Sequence, residues 1–95
     1  MTKQEQQELI QTRIDKALVT IAEAQFQFEH QYWNTAVNKL YYSCFYAVSA
    51  LLASIDVYPK RHQGIQQMFS QHFIKTAIFT KEANKFYSKL FEMRQ

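Results

Sequence analysis

Ninety-five residues, 47% of them hydrophobic, suffice for one domain with a modest core, and one Gly and one Pro leave room for few turns. One Cys and three scattered His exclude an internal disulfide and a zinc-type metal site, and no Gly-rich phosphate loop is present to hold a cofactor. The net charge of +3 is uneven: four basic and six acidic residues up to Asp56, then seven basic against Glu82 and Glu92, a pattern that suits either a phosphate-bearing partner or an ordinary solvated Lys face.

The first predicted helix runs from about Lys3 to Glu29. Leu9, Ile10, Ile14, Ala17, Leu18, Ile21, Ala24 and Phe28 recur along it at three- and four-residue spacing and form its expected core face. Glu5, Glu8, Gln11, Asp15, Gln25 and Glu29 form a solvent face, and the first few residues are expected to fray. A Gln- and Glu-rich start is unlike an apolar signal peptide, so the expected location is cytoplasmic. The break at His30 and Gln31 is short enough to make the next helix an antiparallel neighbour.

That next stretch, Tyr32 to Asp56, organises the chain. Trp33, Ala36, Val37, Leu40, Tyr41, Cys44, Phe45, Val48, Leu51, Leu52 and Ile55 fill most of the circumference, so it reads as a buried central helix. Asn34, Thr35, Asn38 and Lys39 in its first two turns make it too polar to span a bilayer. Cys44 reads as a small core residue. Tyr58 precedes Pro59, which should end the helix near Asp56.

Pro59, Lys60 and Arg61 form a turn into a third helix, about His62 to Phe73, with Ile65, Met68, Phe69, His72 and Phe73 on one side and Gly64 weakening its first turn. Residues 74–79 are a connector. Thr80 is a suitable N-cap for the last helix, and Glu82 complements its dipole. Ala83, Phe86, Tyr87, Leu90, Phe91 and Met93 share an apolar sector there, and Lys81, Lys85 and Lys89 form a stripe opposite. Arg94 falls inside the apolar sector. A guanidinium aimed at a core either snorkels at the helix end or is held in a cleft or interface and presented to phosphate.

Four stretches resemble the HEPN family: YWNTAVNKLYYSCFYAVSALL, PKRHQGIQQMF, QHFIKTAIF and KFYSKLFEMRQ, in order along essentially the whole chain. The resemblance implies a single all-α domain over residues 1–95, an up-and-down four-helix bundle lacking most of the closing C-terminal helix. It also implies a homodimer, and the apolar faces left uncovered agree with that, with the last helix as part of the interface. Active members are metal-independent endoribonucleases without a cofactor, often toxins paired with a small nucleotidyltransferase antitoxin. Arg94 matches the first half of their signature, an Arg followed by His or by an Asp-Tyr pair. The second half has no counterpart after Gln95.

The expected function is therefore an RNA-targeting, ribonuclease toxin-like component. The alternative is a non-catalytic dimerisation module that binds a nucleotide, RNA or a partner. Asn38 and Tyr42, in the polar wedge of the central helix, are placed to face Arg94 and support it. Their structural alternative is a buried polar pair satisfied within the bundle. Lys81, Lys85, Lys89, Arg61 and His62 are the candidates for phosphate binding. His62 and His72 could stand in for the missing proton carrier in principle, but nothing in the sequence requires it, and bracing the turn and packing at the core edge are the readings that the sequence favours.

Overall fold

In a computed structural model that describes residues 1–94, the chain forms four α-helices and no strand among those residues. α1 spans Lys3–Glu29, α2 Trp33–Ser54, α3 His62–Phe69 and α4 Lys81–Met93, with a π-helical turn at Ser70–Ile74 extending α3. α1 starts on a capping box that sequence reading missed. The Thr2 hydroxyl accepts from Glu5 N–H at 3.1 Å, and the Glu5 carboxylate accepts from Thr2 N–H at 2.9 Å. The first turn, expected to fray, is thus hydrogen-bonded from Lys3 onward.

α1 and α2 end in the same way, on a non-Gly residue in the left-handed region. Gln31 (φ 64°) lets Tyr32 N–H reach the Gln27 carbonyl at 2.9 Å, and Asp56 (φ 59°) lets Val57 N–H reach Leu52 at 2.9 Å. These are Schellman closures made without glycine. They correct the sequence reading of the α2 terminus: the helix stops at Ser54 on its own closing turn, before the restriction imposed by Pro59. The one glycine serves packing instead. A Cβ on Gly64 would stand 3.3 Å from Pro59 Cβ, so Gly64 lets the turn lie against the start of α3. As expected, Thr80 caps α4, its hydroxyl accepting from Ala83 N–H at 3.1 Å.

α2 is the centre. Among the helices, α1 packs on α2 alone, and α3 and α4 pack on the other side of α2. The α1 contact uses small residues: Ala17, Thr20 and Ala24 are buried, as are Ala36, Ser43, Ala50 and Ala53 of α2, and Ser43 Oγ donates to the Ala17 carbonyl at 2.9 Å. The bulky residues of the expected α1 face do not fill a core. Leu18 and Phe28 are each 62% exposed, because backbones packed this closely push large side chains to the margin. Likewise Phe86 and Met93 of α4 are exposed, and Tyr87 and Leu90 carry the burial. The main core lies between α2, α3 and α4: Tyr41, Val48 and Leu52 meet Ile65, Phe69, Phe73, Tyr87 and Leu90.

Two flanks of α2 remain between these packed sides. One is apolar, a groove against α1 with cavities of about 340 and 510 Å³, lined by residues such as Ile21, Phe28, Trp33, Leu18 and Leu51. The other carries Tyr42, Phe45, Tyr46 and Ser49 and adjoins the Pro59–His62 turn.

Candidate functional site

Tyr41 sits at the junction of α2, α3 and α4 with no exposed surface. A buried phenol needs a partner for its hydroxyl, and His62 at the first position of α3 supplies it, with Tyr41 Oη 2.6 Å from His62 Nδ1. The imidazole stacks on Phe45 at 4.3 Å and meets Tyr42 edge-on at 5.7 Å. The α3 start that Gly64 and Pro59 bring against α2 is therefore what places His62.

Arg94 enters from the C-terminal end of α4. Its guanidinium carbon lies 4.4 Å from the Phe91 ring centroid and 5.3 Å from that of Tyr41. Both are cation–π contacts. Its Nε is buried and makes no hydrogen bond among the described residues. Tyr87 stacks on Tyr41 at 6.0 Å; its buried hydroxyl makes no hydrogen bond of good geometry, although the Tyr41 hydroxyl is near enough to couple to it. Arg94 and His62 thus meet around one ring, that of Tyr41.

The electrostatics follow from this placement. Burial, and then the Arg94 charge, lower the pKa of His62, so the imidazole is neutral at neutral pH. Burial raises the pKa of Tyr41 against the opposing pull of Arg94, and burial raises Tyr87 far more. Both phenols remain protonated. Cys44, half-buried beside the core, is also pushed up by burial, which removes thiolate character.

Of the residues singled out from sequence, His62 and Arg94 converge. Tyr42 borders His62, and Asn38 is half-buried one turn earlier on the same helix. Arg61 is exposed beside His62. Lys81, Lys85 and Lys89 are exposed on the side of α4 away from Tyr87 and Leu90, apart from the Arg94 cluster. His72 is half-buried in the π-helical turn, where its carbonyl accepts from Thr76. Sequence reading missed Tyr41, which it counted only as apolar circumference. The available signal was a Tyr in a fully apolar setting, which must find a hydrogen-bond partner elsewhere in the chain. Among the described residues no group of His, Cys, Asp and Glu forms a metal site, and no helix is long and apolar enough to cross a membrane.

The comparisons with known proteins agree with this architecture. The HEPN domain model matches residues 10–95. A UPF0332 protein of Thermotoga maritima is 33% identical over 91 residues, covering 96% of this chain and 69% of its own length. Two Methanocaldococcus jannaschii proteins carry the name "putative toxin": MJ0142, 33% identical over 86% of this chain and 56% of its own length, and MJ0605, 29% identical over 92% and 65%. The chain thus spans between about half and two thirds of the length of these relatives. No solved structure matches it. With a family model matched along nearly its whole length and the all-helical fold that match requires, the chain belongs to the HEPN domain family.

Proposed function

We propose that this chain is the RNA-targeting part of a ribonuclease toxin-like HEPN protein. The observation that carries this reading is the pairing of Arg94 with the Tyr41–His62 dyad. The Arg94 guanidinium, which makes no ion pair among the described residues, suits a phosphate oxygen and the negative charge that grows on it during cleavage. His62, within electrostatic reach of Arg94, offers a proton carrier. In the tautomer competent as a base, Nδ1–H donates to the Tyr41 oxygen and leaves the Nε2 lone pair for the ribose 2′-hydroxyl proton. The 2′-oxygen then attacks phosphorus and the bond to the 5′-oxygen breaks, giving a 2′,3′-cyclic phosphate; the 5′-oxygen takes a proton from water, and His62 returns its proton to solvent. Tyr42 borders His62, Asn38 lies one turn earlier on α2, and Arg61 adds positive charge next to His62 in sequence.

The reading includes a cytoplasmic homodimer and a nucleotidyltransferase antitoxin as partner. The exposed apolar flank, and Phe86 and Met93 on α4, support self-association. The relatives named as toxins support the biological role. The test is cleavage of single-stranded RNA in excess chelator. Arg94→Ala and His62→Ala should each slow cleavage by ~100-fold or more while keeping the helical spectrum. Cleavage unchanged in Arg94→Ala, or abolished by the chelator, ends the ribonuclease reading. Light scattering at several concentrations tests the dimer, which a constant monomer mass would remove.

A further inference from the structure

The flank of α2 that adjoins the Pro59–His62 turn also holds a cavity of about 590 Å³. It lies between α1, α2 and the Pro59 turn, outside the Arg94 cluster. Three cations line it: Arg13 and Lys16 from α1, and Lys60 from the turn. So do Phe45, Tyr46 and Tyr58. Arg13 is anchored, its Nη1 donating to the Ser49 carbonyl at 3.1 Å. Lys16 Nζ sits 5.6 Å from the Tyr46 ring centroid.

None of these three cations makes an ion pair among the described residues. Among the described residues the one ion pair joins Lys39 and Glu23 at 3.7 Å. Asp15, next to Lys16 in sequence, is held by Gln11 at 2.9 Å, and Asp56, at the Tyr58 end, accepts from Tyr58 and Gln6 at 3.1 and 3.2 Å. Three like charges around one cavity give it a positive potential that favours an anion. An ammonium beside an aromatic ring matches a phosphate beside a base. Phe45 links the two places, because its ring lines this cavity and also stacks under His62.

We infer that this cavity is a nucleotide subsite, with the phosphate on Arg13, Lys16 and Lys60 and the base against Tyr46 and Phe45. The inference rests on the RNA-directed reading above and extends it. The strand whose phosphate meets Arg94 continues past His62 and Phe45, and a neighbouring nucleotide seats here. The Arg94 site then reads the reacting phosphate, and this cavity sets the register of the strand.

The experiment is fluorescence anisotropy of a short labelled single-stranded RNA over a salt series, with adenosine monophosphate as competitor. The three cations of this cavity together with Arg94 predict a log–log salt slope of about −2.8. Lys16→Gln with Lys60→Gln should bring it to about −1.4 and weaken binding by ~10-fold or more at low salt, and Tyr46→Leu should weaken binding roughly 10-fold with the slope kept. Lys75→Gln, in the exposed connector, is the control and should change neither. Competition by the monophosphate at concentrations similar to the RNA identifies a free nucleotide as the source of the bound unit, and weak competition identifies the strand. Either supports the subsite. Unchanged affinity and slope in the double Lys variant, or no binding of either probe by wild type at low salt, overturns it. Binding that depends on Lys16 and Lys60 without RNA cleavage keeps the subsite and removes the ribonuclease reading. Cleavage whose KM ignores both lysines does the reverse.

Discussion

The two flanks of α2 border the same helix and have opposite chemistry. One side presents Trp33, Leu40 and Leu51 against an α1 margin of Leu18, Ile21 and Phe28, with almost no polar group. The other presents Tyr42, Phe45 and Tyr46 beside His62, Arg13, Lys16 and Lys60. The first behaves as unfinished core: its surface gains by being covered, whatever covers it. In the reading proposed above the second is a site, because its clustered cations favour an anionic ligand. Burial alone does not tell the two apart. What separates them is whether the groups left over are apolar surface or unanswered charge.

The largest expected effect tests the scaffold that both flanks share. Leu52→Ala, at a position with no exposed surface between them, should lower unfolding stability by about 2–5 kcal/mol in urea titrations. A smaller loss would mean that α2 is less central than its packing shows. Tyr41→Phe sharpens the contrast. It removes the hydroxyl that meets His62 Nδ1 and should cost about 1–2 kcal/mol while leaving the apolar flank, read by dye binding, as it was.

The pH dependence belongs to the site flank alone. The folded pKa of His62 lies below its ordinary value of 6.5, so the unfolded chain binds the proton first as pH falls. Stability from this group is fully present above 6.5, declines below it, and is lost once pH passes the lower folded value. Melting temperatures of wild type should fall over that window, and His62→Gln should flatten the decline. An equal decline in both proteins would assign it elsewhere.

Ala77→Gly probes a position outside both flanks. Ala77 has φ 61°, where a Cβ is strained, so glycine should stabilise by about 0.5–1 kcal/mol in the same unfolding assay. The smallest stability change is expected on the apolar flank. Leu18→Lys should alter unfolding by no more than about 0.5 kcal/mol, since Leu18 is mostly exposed, yet it should reduce any self-association seen by light scattering. A large loss of stability there would show that the flank is already core within one chain.

Much of the fold was legible before the structure. The four helices, Thr80 as a cap and the central place of α2 all follow from spacing along single segments. Arg94 was legible because a cation in an apolar sector breaks a local pattern. Tyr41 was hidden because an apolar stripe absorbs a phenol without contradiction. Arg13 and Lys16 were hidden because, on α1, they resemble any solvated cation. The bulky α1 residues misled for a related reason: periodicity says which side chains share a face, but not how closely the next backbone approaches it.

By itself the sequence determined where helices form, which helix is wrapped by the others, and that an Arg near the end of α4 is out of place among apolar neighbours. Those properties depend on residues within a turn or two of one another, so they survive without knowledge of the rest of the chain. Only the tertiary structure decided that His62 meets Tyr41 across 21 residues, that Arg94 shares the same ring, and that Arg13, Lys16 and Lys60 open on one cavity. Such meetings depend on the relative placement of packed helices. That placement follows from the sum of many small contacts, here Ala and Ser against Ala and Thr, and no single segment encodes the sum.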